Sequence, residues 1–179
     1  YSAQGSGSYG MVFSPDGSKM YVVDYYTKSV YQFTLSTAWD VSTATYANKK
    51  YLSSFCLDGV FFSSDGTKMY IANNGGTVYQ FTLSTAWDVS TASDTGKTFS
   101  TGTTTFSLFF KPDGRTLFIA DLSHGIYQCF LSTPWDISTC NSGVVQSFYS
   151  QNCGISFKPD GKIMYIATYS GMIYQYELT

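Results

Sequence analysis

Thr34-Leu-Ser-Thr-Ala-Trp-Asp-Val-Ser-Thr-Ala44 decides the fold, because the same phrase returns letter for letter as Thr82 to Ala92. A third copy, Phe130-Leu-Ser-Thr-Pro-Trp-Asp-Ile-Ser-Thr-Cys140, carries small changes. The glycines of a recurring turn lie at intervals of 49, 48 and 47 residues: Gly17, Gly66, Gly114 and Gly161. A period of this length indicates that four copies of one supersecondary unit fill the chain.

Each copy is predicted to consist of short strands. Runs of four to seven residues rich in Val, Ile, Phe and Tyr alternate with turn residues. The first run, such as Gly10-Met-Val-Phe-Ser, is almost continuously apolar and is expected to be an inner strand buried on both faces. An Asp-Gly hairpin turn follows, then a second strand such as Met20 to Asp24 and a third such as Val30 to Leu35. A Trp-Asp loop and a more variable fourth stretch complete the unit.

Four antiparallel strands in each repeat make a propeller blade. The pattern apolar-Phe-Ser-Pro-Asp-Gly-x-Lys-Met-Tyr-Val, followed by Val-Tyr-Gln-Phe, resembles the Tyr-Val-Thr-Asn and TolB-like β-propeller superfamily. The resemblance implies the fold, but that group includes lactonases, translocation factors and surface proteins, so it implies no single activity. We predict an all-β, four-bladed β-propeller in one domain over 1–179. Its repeats fall at about 1–36 plus the C-terminal closure, 37–84, 85–132 and 133–179.

The N-terminal residues align with the fourth stretch of the other copies, and the last copy ends in a third strand. We therefore expect Tyr1 to Ser8 to complete the last blade, either within the same chain or in a neighbouring chain. The four copies could also be a segment of a longer array.

Composition narrows the class of protein. The formal charge is -2, charged residues make up 12% and aromatic residues 18%, which argues against nucleic-acid binding. No apolar run is long enough for a membrane helix, so no membrane insertion is expected. A hydroxyl-rich and tyrosine-rich surface suits an extracellular location or a cell or virion surface.

Four cysteines leave the pairing open. Cys129 replaces a phenylalanine of the earlier copies and is expected to be a small buried residue, while Cys140 and Cys153 could bridge under oxidising conditions. No CxxC spacing occurs, so no zinc site is predicted, and no cofactor is expected.

Candidate ligand-binding residues lie in the loops that would share one face of the propeller. Exposed tyrosines among amide and hydroxyl groups could stack on sugar rings, and the set is Asp24, Tyr25, Tyr26, Asn73, Asn74, Asp121, His124, Thr168 and Tyr169. Asp58 falls on the same face. The alternative is that Asp24, Asn73, Asp121 and Thr168 hold turns, and a calcium site from the first three is a further alternative.

Other recurring residues are expected to be structural. They are the pairs Trp39 and Asp40, Trp87 and Asp88, Trp135 and Asp136, together with the four turn glycines above. The tryptophan is predicted to cover the lower edge of the blade while the aspartate binds the backbone that follows. His124 could act as a base, but no spacing supplies a partner, so no catalytic residue is predicted.

The first functional hypothesis is a non-enzymatic extracellular module for structure, adhesion or interaction, such as a building block of a surface appendage, fibre or viral tail-like assembly. Its partners would be proteins, through self-assembly or scaffolding, and glycans. The alternatives are a carbohydrate-binding, lectin-like propeller and a lactonase-like hydrolase.

Overall fold

The computed structural model describes residues 7–52, 56–121, 125–146, 152–158, 161–168 and 170–178. These ranges form strands joined by turns and short 3-10 helices. The strands are β1 Ser8–Phe13, β2 Lys19–Asp24, β3 Ser29–Leu35, β4 Ala44–Tyr51, β5 Leu57–Phe62, β6 Lys68–Asn73, β7 Thr77–Leu83, β8 Ala92–Ser100, β9 Thr105–Phe110, β10 Thr116–Asp121, β11 Gly125–Leu131, β12 Cys140–Gln146, β13 Asn152–Phe157, β14 Ile163–Thr168 and β15 Ile173–Glu177. The 3-10 helices are Val41–Thr43, Val89–Thr91 and Ile137–Thr139.

The strands form four antiparallel sheets in chain order, and each sheet is one blade. Blade 1 holds β1 to β4, blade 2 holds β5 to β8, blade 3 holds β9 to β12, and blade 4 holds β13 to β15. Inner strands β1, β5, β9 and β13 contact one another in sequence. The predicted all-β fold with four antiparallel propeller blades is confirmed, while the strand expected from Tyr1 to Ser8 lies mostly outside the described residues.

The core lies between the blades, where the face of one packs on the face of the next. Tyr21, Val23 and Val30 of blade 1 are buried against residues of blade 2 such as Met69 and Ile71. Equivalent residues of blades 2 and 3 pack in the same way on the blade that follows. Each blade therefore needs a neighbour on both sides to bury its apolar residues.

In blades 1 to 3, the hairpin turn after the inner strand packs against the Trp-Asp loop of the same blade. Gly66 has φ +70, and a Cβ added there would lie 2.2 Å from ring atoms of Trp87. The N–H of Trp87 donates to the carbonyl oxygen of Gly66 at 3.0 Å. Glycine is thus required twice, for the left-handed conformation and for the space that the indole ring fills.

The aspartate of the Trp-Asp loop caps the 3-10 helix after it. Asp88 Oδ1 accepts hydrogen bonds from the N–H of Ser90 at 3.0 Å and from its hydroxyl at 2.6 Å. Thr91 Oγ1 donates to the carbonyl oxygen of Asp88 at 2.8 Å. The loops that contain Trp39 and Trp135 repeat this geometry, since Asp40 and Asp136 cap in the same way.

Two details differ from the sequence-based expectation. The inner strand of blade 2 is buried almost throughout, but Met11 in β1 is 56% exposed, because none of the described residues of another blade covers it. Cys129 is buried as expected, yet it is joined in a disulfide to Cys140 on the neighbouring strand. The side chain of Cys153 lies outside the described residues.

In the described ranges, no helix is long and apolar enough to cross a membrane.

Candidate functional site

The loops between second and third strands and those between fourth and first strands share one face, which we call the upper face. The N–H of Asn74, after β6, donates to the carbonyl oxygen of Cys56, before β5, at 3.1 Å. The N–H of Leu52 donates to the carbonyl oxygen of Lys28 at 2.8 Å. The candidate ligand-binding residues described by the structure therefore lie on one face.

The polar residues that end the second strands are buried and hold turns. Asp24 accepts from the N–H of Thr27 at 2.7 Å and from that of Gly7 at 3.0 Å, and Asn73 accepts from the N–H of Thr77 at 2.8 Å. Asp121 accepts from the hydroxyl of Thr103, and Thr168 shares a 2.9 Å hydrogen bond with Ser170. These four side chains occupy equivalent positions in the four blades.

The lowered pKa of Asp24 indicates that the hydrogen bonds of its turn stabilise the ionised carboxylate. Burial acts to raise the pKa of this carboxyl, but the backbone N–H groups of Thr27 and Gly7 outweigh burial and lower it. Asp24 is thus a carboxylate at neutral pH, already occupied by donors of its own loop.

Among the other candidates on this face, Tyr26 and Asn74 are exposed and Tyr25 is half-buried. Tyr26 is 65% exposed, and its ring lies 5.3 Å from the ring of Tyr25. Asn74 Nδ2 donates to the hydroxyl of Tyr25 at 3.3 Å. His124 and Tyr169 lie outside the described residues.

Each inner strand carries a β-bulge near its upper end. The pairing register of β5 with β6 shifts between Leu57 and Gly59, which leaves Asp58 as the extra residue. The same shift isolates Tyr9 in β1 and Phe106 in β9, and it recurs in β13 between Asn152 and Gly154. Bulges of this kind re-aim a side chain and are frequent beside active sites.

The inner strands β1 and β5 lie very close together at the level of their bulges. A Cβ added to Gly10 would lie 2.8 Å from the carbonyl oxygen of Asp58, so blades 1 and 2 touch by their backbones beside the bulges. Just below, a cavity of about 320 Å³ is lined by the inner strands, including Tyr9, Gly59 and Phe106. Two of the bulged residues, Tyr9 and Phe106, thus line this cavity, and Asp58 directly precedes its lining residue Gly59.

Asp58 is the chemically unusual member of the set. It is only 3% exposed, and its Oδ2 has no hydrogen-bond partner among the described residues. Burial raises the pKa of its carboxyl to about 7, because loss of water disfavours the charged form. A carboxyl with this pKa is partly ionised at neutral pH.

A tyrosine and a cysteine lie beside this carboxyl. A hydrogen bond to Cys56, with the charges of Cys56 and Asp58 nearby, raises the pKa of Tyr25 to about 12. The ring of Tyr9 is 5.3 Å from that of Tyr25. We call Tyr9, Tyr25, Cys56, Asp58 and Asn74 the Asp58 cluster.

The sequence placed Asp58 on this face but did not single it out. The signal was present, because Asp58 aligns with Tyr9, Phe106 and Cys153, where the other copies carry no charge. The bulge that isolates this position becomes visible only when the strands are paired. In the described part of the chain, no three His, Cys, Asp or Glu side chains lie close enough to hold a metal ion.

Comparison with known proteins supports the fold. No protein-family model matches the chain, and no curated protein matches it by sequence. Among solved structures, one from Bacteroides uniformis, provisionally named a 6-phosphogluconolactonase, has a TM-score of 0.72 at 18% identity and covers 96% of this chain. A protein from Bacteroides fragilis with the same provisional name also has a TM-score of 0.72 at 18% identity. The chain spans about half of each, 50% and 51%.

These comparisons correct the functional prediction. The non-enzymatic extracellular module for structure or adhesion is contradicted, because the matched propellers carry the name of an enzyme. The same finding contradicts the prediction that the protein is not an enzyme, and it favours the lactonase-like alternative. The β-propeller is supported, whereas the fibre, adhesion and carbohydrate-binding descriptions are not, and the TolB-like superfamily is not confirmed.

Proposed function

We propose that this protein is a lactonase-like hydrolase, with Asp58 as its acid–base group. One observation carries the proposal: a buried carboxyl with an unpartnered oxygen occupies a β-bulge at the upper end of the inner strands. An isolated buried charge destabilises a fold, so its presence at this bulge favours a chemical role.

The comparisons support the reaction class only through the fold. The two matched propellers are provisionally named lactonases, and at 18% identity this likeness concerns architecture. The chemistry is therefore argued from the Asp58 cluster itself.

Hydrolysis of a lactone requires a proton to be moved from water to the leaving oxygen. The ionised Asp58 would accept a proton as the water oxygen bonds to the carbonyl carbon. The ring C–O bond then breaks, and the proton passes to the released alkoxide, which gives a hydroxy acid. A pKa of about 7 suits both steps, since the carboxyl is partly ionised at neutral pH.

Tyr25 would stabilise the negative charge that develops on the carbonyl oxygen. The hydroxyl of Tyr25 is protonated at neutral pH, as a phenol ordinarily is, so it can donate a hydrogen bond. Asn74 and Cys56 hold this hydroxyl in place. The Asp58 cluster contains no lysine or arginine, so we expect a neutral lactone to be preferred over a phosphorylated one.

The test is acid release from δ-gluconolactone and from 6-phosphogluconolactone, measured above the spontaneous rate. We expect the neutral lactone to be hydrolysed faster, and Asp58→Asn to lower the rate by about 10²-fold to 10⁴-fold, the usual contribution of general acid–base catalysis. Asp94→Asn is the matched control, because Asp94 lies on β8 and accepts a hydrogen bond from the N–H of Gly96 in its own turn. Equal rates with and without protein, or full activity in Asp58→Asn, would overturn the proposal.

A further inference from the structure

Successive blades are joined by a recurring polar contact. Tyr21 of blade 1 donates its hydroxyl to the carbonyl oxygen of Trp87 in the Trp-Asp loop of blade 2, at 2.7 Å. Tyr70 of blade 2 donates in the same way to Trp135 of blade 3, at 2.6 Å. The second strand of one blade thus recognises the Trp-Asp loop of the next.

A buried glutamine makes a second contact between the same elements. The side-chain oxygen of Gln32 accepts from the N–H of Val89 at 3.0 Å, and that of Gln80 accepts from the N–H of Ile137 at 3.0 Å. Val89 and Ile137 are 0% and 1% exposed as a result. Tyrosine and glutamine on one side, and the loop on the other, form a repeated interface.

The loop side of this interface is uncovered on blade 1. Val41 is the equivalent of Val89 and Ile137, yet it is 44% exposed, and Trp39 beside it is 58% exposed. A groove lined by Met11, Met20, Val22 and Val41 runs over the same face.

The opposite side is uncovered on blade 4. Ile173 aligns with Val30, Val78 and Ile126, which are at most 1% exposed, whereas Ile173 is 75% exposed. Tyr165 aligns with Tyr21, and Gln175 aligns with Gln32. Neither side chain has a hydrogen-bond partner in the part of the chain that the structure describes.

We propose that blade 4 of one copy docks on blade 1 of a second copy, so that two chains form one ring of eight blades. Tyr165 then donates to the carbonyl oxygen of Trp39 of the second copy, Gln175 accepts from the N–H of Val41, and Ile173 is buried in the groove. The interface is the one already present between blades 1 and 2 and between blades 2 and 3.

Length favours a closed pair over an open chain of copies. The match covers 50% and 51% of the two solved propellers, so two four-blade units of this kind together account for a full ring. Eight blades lie within the usual range for propellers. A head-to-tail interface closes when its rotation completes a full turn. This inference is independent of the proposed hydrolase activity.

The test is the molar mass of the chain in solution by light scattering. We expect twice the mass of the 19.8 kDa chain at micromolar concentration. Ile173→Asp and Val41→Asp should each give a monomer. In a pair of identical chains, each substitution places a carboxylate in both interfaces, on the blade 4 side for Ile173 and on the blade 1 side for Val41. Phe130→Asp is the control, since Phe130 is 50% exposed on blade 3, away from both end faces. Circular dichroism checks that each variant is folded, which we expect because all three sites are exposed.

Mixing the two variants distinguishes this arrangement from symmetric face-to-face dimers. The Val41→Asp variant keeps an unchanged blade 4, and the Ile173→Asp variant keeps an unchanged blade 1. These two faces can dock, so the mixture should contain pairs that neither variant forms alone. A monomeric wild-type chain would overturn the proposal and assign these faces to further repeats or to another protein. Pairing by Ile173→Asp alone or by Val41→Asp alone, or an unbounded polymer, would also overturn it.

Discussion

Replacement of Asp58 by asparagine is expected to stabilise the protein while removing its activity. Burial raises the pKa of Asp58 from 3.8 to about 7, so the folded state holds this proton more tightly than the unfolded state. The contribution of Asp58 to the free energy of unfolding is therefore fully present below about pH 4 and is lost as pH rises towards 7. Each pH unit in that window costs about 1.4 kcal/mol, and the total is about 4 kcal/mol.

The assay is urea denaturation of wild type and Asp58→Asn at several pH values. Because the other carboxylates titrate in both proteins, the difference in unfolding free energy isolates Asp58. We expect the variant to gain about 4 kcal/mol relative to wild type between pH 4 and pH 8, with no further change above pH 8. A difference that does not vary with pH would show that Asp58 is solvated or paired, and would refute the reasoning.

Two further substitutions test how the blades are held together. Gly66→Ala should destabilise more than Gly96→Ala, by about 2 kcal/mol or more in urea denaturation, because both have φ +70 but only Gly66 lies against an indole ring. Equal losses would mean that the Trp87 ring moves aside freely. Tyr70→Phe should cost about 1 kcal/mol, because it removes the hydrogen bond to Trp135 and leaves the ring in place. A neutral result, measured in the same way, would show that the Tyr70 hydroxyl contributes nothing beyond what water supplies.

The strands and turns could be predicted from the sequence because their causes are local. An Asp-Gly turn needs a residue that tolerates positive φ, and Gly17, Gly66, Gly114 and Gly161 all have φ of about +70. The Trp-Asp loop repeats nearly unchanged, so its cap at Asp88 repeats as well. Four copies of such a unit leave few architectures other than a propeller.

The candidate site was less predictable because its causes are not local. Asp24 and Asn73 are polar loop residues in the sequence, and only the fold shows that turn N–H groups already occupy them. Asp58 looked ordinary because its isolation depends on the register shift between β5 and β6 and on the approach of β1. Exposure at Met11 and Ile173 likewise depends on which blade faces which, and alignment cannot show that.

The sequence differences between the copies and the burial of Asp58 both indicate the bulge position as the functional one. Where the repeat has a structural task, the copies agree: the turn glycines, the tryptophans and the glutamines of the third strands recur. At the bulge the copies differ, with Tyr9, Asp58, Phe106 and Cys153 in equivalent positions. A charge there destabilises the fold by a large share of the 5–15 kcal/mol that holds a typical domain together. Because an apolar residue would fill the bulge at no such cost, we infer that the asymmetry of this position serves the reaction and not the scaffold.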